Sequence, residues 1–144
     1  MAVINIDTTQ YDAQLNEKEQ RITEQFQRFG VKQLEVFSSE PINYRQRAEF
    51  RVWHDGDDLF HIMFDQQTKD KIRVDTFDPA APLVGEIMQV MIENLKGCEV
   101  LRRKLFQIDY LSTLSGEILV SLLYHKPLDE HWLTEINALK EKLS

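Results

Sequence analysis

The stretch from Tyr44 to Lys69, YRQRAEFRVWHDGDDLFHIMFDQQTK, leaves this chain few ways to fold. From Arg47 to His54 the residues alternate: Ala48, Phe50 and Val52 fall on one side, and Arg47, Glu49, Arg51 and Trp53 on the other. A period of two is the signature of a half-buried strand. Asp55-Gly56 then supplies backbone that tolerates positive φ, and Leu59 to Phe64 returns as a second strand before a polar turn over Asp65–Asp70. Such a hairpin needs a partner for its apolar face. Its other face carries guanidinium groups beside an indole, which suits either nucleic acid or water. Exposed arginines are common, so these residues alone favour the solvated reading.

The rest of the chain supplies cover. Met1 to Ile6 is a short strand or an arm, and Asp7, Thr8 and Thr9 can cap a helix that follows. Tyr11, Leu15, Ile22, Phe26 and Phe29 recur at helical spacing up to Gly30, which predicts an amphipathic helix laid on a core. Leu34 to Ser38 reads as a short strand and Lys71 to Val74 as another. Leu83, Ile87, Val90, Met91 and Leu95 mark a second amphipathic helix stopped at Gly97, with a helical turn over Val100–Lys104 after it. Leu105 to Leu114 and Glu117 to His125 form a second hairpin around Ser115-Gly116. Its returning strand, ILVSLLY, is apolar on both faces, which predicts a central place in the sheet. Asp129 can cap a last helix over Glu130–Leu143, with Trp132, Leu133, Ile136, Leu139 and Leu143 on one side. Two hairpins with amphipathic helices before, between and after them predict a single α+β domain over residues 1–144 with a mostly antiparallel sheet.

Charge and cysteine content narrow the function. A formal charge of −7 argues against indiscriminate binding to nucleic acid, because phosphate contacts need local positive potential. Yet most of the basic residues from Arg45 to Lys104 lie at strand ends and turns, where a sheet can gather them. A single cysteine, Cys98, excludes an internal disulfide and any cysteine-only metal site. No apolar run approaches the roughly 20 residues of a membrane span, and the first ten residues lack a signal-peptide pattern, so a cytoplasmic location is expected.

Searches for chemical motifs return little. There is no G-x-G-x-x-G, P-loop or G-x-S-x-G. His54 and His61, with a carboxylate of Asp55–Asp58, are the best metal candidates, although a hairpin end often carries solvated His and Asp. Asp109 and His125, on neighbouring strands, are the best acid–base candidates. Cys98 has no histidine near it in sequence and reads as an incidental thiol.

Four segments go further. YRQRAEFRVWHDGDDLFHIMFDQQTK, IRVD at Ile72–Asp75, LRRKLFQIDYLSTLS at Leu101–Ser115 and VSLLYHKPLDEHW at Val120–Trp132 resemble the bacterial tRNA (uracil-5-)-methyltransferases, which form ribothymidine in the tRNA T-loop. The resemblance covers nearly the whole chain and implies the N-terminal, RNA-recognition part of such an enzyme. The Rossmann-like catalytic domain of that family is absent here, together with its glycine-rich S-adenosylmethionine motif, nucleophilic cysteine and general-base glutamate. Cys98 does not sit in the family's catalytic context. Related RNA uridine methyltransferases carry a β-barrel domain and a four-cysteine cluster site, and this chain has neither. The resemblance therefore implies no cofactor in this chain, S-adenosylmethionine in the full-length enzyme, and no methyl transfer by this chain alone.

It also implies roles for particular residues. Methylating a loop uracil requires extruding the base from its stack, at a cost of roughly a few kcal/mol. An aromatic ring that fills the gap restores part of it, about 1–3 kcal/mol per stacked base. By resemblance Phe106 is that ring and Arg51 a clamp on the displaced nucleotide. Gln107 and His125 contact the loop, and Arg45, Arg47, Lys69 and Lys104 contact phosphates. The residues themselves keep other readings open. Phe106 alternates with Ile108 and Tyr110 as a core residue would, Arg51 fits the surface of an edge strand, and His125 at a strand end fits a structural role. The expected partners are a tRNA T-loop and the missing catalytic domain. Self-association is expected over apolar surface around Trp132 or Met63. A free-standing RNA-binding module and a protein-interaction domain are the alternatives.

Overall fold

A computed structural model describes residues 3–144. The order of elements is β1 (Val3–Ile4), α1 (Tyr11–Phe26), β2 (Arg47–Asp55), β3 (Asp58–Phe64), β4 (Lys71–Val74), β5 (Thr76–Phe77), α2 (Pro82–Lys96), α3 (Glu99–Arg102), β6 (Leu105–Ser112), β7 (Ile118–Tyr124) and α4 (Glu130–Leu143). Five strands form one antiparallel sheet in the order β4-β3-β2-β6-β7, and β1 pairs with β5 as a separate parallel ribbon. The α+β class expected from the two hairpins is the one observed. Residues 1 and 2 of the expected N-terminal strand lie outside the described residues.

Local chemistry accounts for the elements. In the β2–β3 turn Asp55 faces Asp58, and Gly56 takes φ +60, so the glycine supplies the left-handed first corner of a two-residue loop. Pro82 opens α2, where a missing N–H costs nothing, and the Asp129 carboxylate accepts the Trp132 N–H to cap α4. The same capping bond, together with nearby positive charge, holds the Asp129 carboxyl below its ordinary pKa.

The core lies between one face of the sheet and helices α2, α3 and α4. Ala48, Phe50 and Val52 from β2 meet Ile108 and Tyr110 from β6, and Val84, Met88, Met91, Leu95 and Leu101 from the helices close over them. One polar pair sits inside: His61 Nε2 lies 2.7 Å from the Tyr110 hydroxyl, with both rings packed on Phe50. Burial pushes the His61 pKa down to about 4, against a weaker opposing pull from Asp75, and pushes that of the Tyr110 phenol up. The helices leave the second face of the five-stranded sheet uncovered.

Several expectations are corrected. β2 is the middle strand, so Arg51 is not an edge-strand residue. β7 is an edge strand and not a central one. Ile118, Val120 and Leu122 pack on the core, but Leu119, on the other face, is 61% exposed beside exposed Leu111. Its apolar outer face is thus surface patch, which burial pattern alone cannot distinguish from a strand covered on both sides. Helix α1 buries no residue, and Ile22, Phe26 and Phe29 are exposed, so it is not laid on the core. Leu34–Ser38 forms no strand: it finds no ladder partner, and Phe37 is 83% exposed. Trp132 packs edge-on against Tyr124, with indole centroid 5.5 Å from the phenol's, and Met63 packs on the core, while the exposed apolar side chains near them are Leu128, Leu133 and Phe64. On α4, Leu133 turns away from the core that Leu139 enters.

Candidate nucleic-acid interface

Alternation along β2 turns Arg47, Glu49, Arg51 and Trp53 onto the uncovered face. Register carries the pattern across the sheet: Ile62 faces Arg51, Phe60 faces Trp53, and Gln107 faces Arg51 from the other side. Aromatic rings on this face are each approached by a cation. Lys71 Nζ stands 3.3 Å from the centroid of Trp53, the Arg73 guanidinium 4.4 Å from that of Phe60, and the Arg51 guanidinium 5.5 Å from that of Phe106. Under these side chains Ile62 is buried although no helix covers it.

Phe106 reaches this face by a break in pairing. Leu105 pairs with Tyr124 and Gln107 with Leu123, so β6 has one residue more than β7 at this point. Phe106 is that extra residue, the centre of a β-bulge. The bulge interrupts the alternation that would put Phe106 in the core with Ile108 and Tyr110. Those two are fully buried, whereas Phe106 is half-buried and stacked on exposed His125, centroids 3.8 Å apart and planes 15° from parallel. The His125 N–H donates to the Lys104 carbonyl at 2.9 Å, and Lys104 itself has φ +64, so the chain is held in a tight corner on either side of the stacked rings.

The structure brings together five of the eight residues singled out in the sequence. Arg51, Phe106, Gln107, His125 and Lys104 surround the bulge, with the Gln107 amide donating to Asp109 at 2.8 Å. Arg45, Arg47 and Lys69 lie elsewhere. Arg47 is four residues from Arg51 along β2, about 13 Å at strand rise. Arg47 is ion-paired with Glu49, and Arg45 Nε donates to the Arg47 carbonyl at 2.9 Å. Lys69, at φ +64, sits in the β3–β4 turn. Asp109 faces Ser121, four residues before His125, so those two do not form an acid–base pair. His54 and His61 do not share a site: His54 Nε2 lies 2.7 Å from the Leu105 carbonyl, while His61 is taken by Tyr110. Phe60 is an additional member, and Trp53, the indole of the β2 outer face, joins the site although it was not among the eight candidate contacts. The signal for Trp53 was present, since it stands two residues beyond Arg51 on the same strand.

Residues 10–144 match the model of the tRNA (Uracil-5-)-methyltransferase family. The chain belongs to that family. It is 90% identical over all 144 residues to a tRNA/tmRNA (uracil-C(5))-methyltransferase of Pseudoalteromonas translucida, of which it covers 39%. It is 53% identical over its full length to a protein of the same description from Vibrio parahaemolyticus, again 39% of that protein. A third such methyltransferase, from Shewanella amazonensis, is 54% identical over 138 residues, which is 96% of this chain and 38% of that protein. The chain therefore spans about two-fifths of the length of the curated methyltransferases it matches. The arginine, the stacked Phe–His pair and the basic loop that precedes them all fall inside the matched region.

Proposed function

We propose that this chain is the RNA-gripping part of a tRNA uracil-C5 methyltransferase, holding a tRNA loop while methyl transfer is carried out by residues outside it. The observation that carries this reading is the Phe106–His125 stack, set out from the sheet on a bulge with the Arg51 guanidinium beside it. Two near-parallel rings, the half-buried Phe106 and the exposed His125, set next to a cation are suited to replacing a base in a disturbed stack, the compensation that extrusion of a uracil calls for. RNA loops are recognised through such splayed bases and backbone shape more than through duplex grooves.

The methyl donor of the family would be S-adenosylmethionine, and the described residues do not fit it. A nucleoside cradle uses glycines where backbone must approach the ligand closely. The five glycines are scattered: Gly30 ends the first helical segment, Gly56 and Gly116 lie in hairpin turns, Gly85 is inside α2 and Gly97 follows it, so none forms a glycine-rich strand-to-helix loop. No step is therefore assigned to the donor in this chain. The exposed Leu111 and Leu119 beside the edge strand β7 are a natural seat for the rest of the polypeptide, or for a second copy when it is absent.

Binding of an unmodified tRNA transcript tests the reading. Phe106→Ala should weaken binding by about 1–3 kcal/mol with little change in salt dependence. Replacing a residue that contacts phosphate, with Arg45, Arg47, Lys69 and Lys104 as candidates, should lower the log–log salt slope by roughly 0.7–0.9 per contact. Arg51→Ala should show both effects in part. A wild-type chain that binds no tRNA at any salt, or a Phe106→Ala chain that binds as tightly as wild type, would overturn it.

A further inference from the structure

Beside the stacked rings the surface sinks into a groove of about 580 Å3, which Phe106 and His125 line together with Trp53. Leu105 and Val52 line it as apolar residues, and Arg103 and Lys104 line it as cations. Its size is in the range of sites that take one small ligand. The lining is unusual for a solvated crevice, because it combines aromatic rings with basic groups that have not been neutralised. Arg102 also borders the groove but is spent on Asp57, donating to its carbonyl at 3.0 Å. By contrast, the Arg103 and Lys104 side chains are exposed and have neither hydrogen bond nor ion pair among the described residues. One lining carboxylate, Glu99, opposes them.

We infer that this groove is a binding site for one unpaired RNA nucleotide, its base against Trp53 and its phosphate against Arg103 and Lys104. The inference rests on the RNA-gripping reading above and adds to it a receptor for a nucleotide put out of the stack. Three features support that occupant. First, aromatic faces with interleaved cations bind single-stranded nucleic acid whatever its base, because every base offers a π-face. Trp53 is 41% exposed and already carries an ammonium group over its ring, so it is a solvent-facing cation–aromatic unit and not a core residue. Secondly, positive charge without a protein partner is complementary to phosphate. Thirdly, the groove is continuous with the stack: the same Phe106 and His125 that would fill a vacated base position also form its wall. A nucleotide displaced by those rings has this cavity next to it.

The groove and the stack can be tested separately on the 144-residue chain. The chain has two tryptophans, and Trp132 is half-buried against Tyr124, so quenching of exposed tryptophan fluorescence reports on Trp53. Titration with unmodified tRNA transcript, and with a short oligouridine strand as competitor, should quench the emission, and Trp53→Phe should remove the quench. Trp53→Ala should weaken binding roughly 5- to 100-fold, the equivalent of one lost stack. Arg103→Ala and Lys104→Ala should each lower the salt slope by about 0.7 for a single-stranded contact. A matched RNA duplex should not compete. Thermal melts accompany each variant, and Trp53→Phe serves where Trp53→Ala fails to fold. If Phe106→Ala weakens tRNA binding while Trp53 and Arg103 variants bind and titrate with salt like wild type, the groove is empty and the inference falls with the RNA reading intact. If wild-type chain binds no RNA, both fall.

Discussion

His61 should make the stability of this domain depend on pH over a range in which ordinary carboxylates are silent. Its ring is 2% exposed, held against Tyr110, and burial lowers its pKa from 6.5 to about 4. In the unfolded chain the ring takes up a proton near pH 6.5, whereas the folded chain resists until about pH 4. Stability from this group is therefore complete above about 6.5, declines as pH falls toward 4, and then levels off. The gap between the two values corresponds to roughly 3 kcal/mol, most of which is lost between pH 7 and pH 4.5. For a domain of this size that is a fall in Tm of roughly 5–10 °C. Asp58, Asp65 and Asp129 also have lowered pKa values, for Asp58 chiefly through the Lys96 side chain, and they lose their contribution as pH falls through the ordinary carboxylate value of 3.8 and below it. Urea melts at intervals between pH 7 and 4.5, on wild type and His61→Gln, isolate the effect. The substituted amide would keep a polar group near the Tyr110 hydroxyl without titrating. A His61→Gln chain whose stability falls as steeply as that of wild type across this window would refute the assignment.

Phe106→Ala should change Tm little, since the ring is half-buried on the uncovered face, whereas Ile108→Ala two residues on should cost about 2–5 kcal/mol; thermal melts of the pair check the bulge directly. Gly56→Val should destabilise by roughly 1–2 kcal/mol because φ +60 disfavours any side chain, although open space surrounds the position; urea midpoints measure it. Leu119→Lys should reduce concentration-dependent association in sedimentation without lowering Tm, and association unchanged by this substitution would remove β7 as the contact.

The hairpins were legible because their signals are local. Asp55-Gly56 and the alternation of β2 specify a turn and a face without reference to the rest of the chain. Helix α2 could be read as an element as well, although of the residues that marked it only Met91 and Leu95 are fully buried, and Val84 and Met88 complete the inner stripe. What failed were judgements about neighbours. ILVSLLY is apolar on both faces whether a helix, another strand or nothing lies beyond it, and amphipathic α1 shows the same pattern with or without a core to sit on. The candidate site was hard to read from alternation for a different reason. Phe106 sits on the outer face because β6 and β7 differ by one residue in register, a property of two strands together that alternation within LFQIDY cannot reveal. Arg51 needed only its own strand, and there the reading of an outward guanidinium held while the edge-strand reading did not.

The surplus residue in β6 also bears on how this surface can be altered. A side chain in a regular ladder answers to the strand on each side and to the layer beneath. Phe106, lying outside the count that pairs Leu105 with Tyr124 and Gln107 with Leu123, answers instead to His125 and Arg51 on the uncovered face. On the RNA-gripping reading proposed above, its identity answers to the docked loop as well as to His125, on which it stacks. Exchange of Phe106 for another ring is an adjustment of preference that leaves the scaffold's assembly untouched. Removing the residue altogether would be a different event, since even pairing would then extend through β6 and the chain would keep its architecture while losing the feature that distinguishes this strand. In laboratory evolution, position 106 is accordingly a place to test the proposed RNA contact, and Ile108 and Tyr110 are places to leave alone.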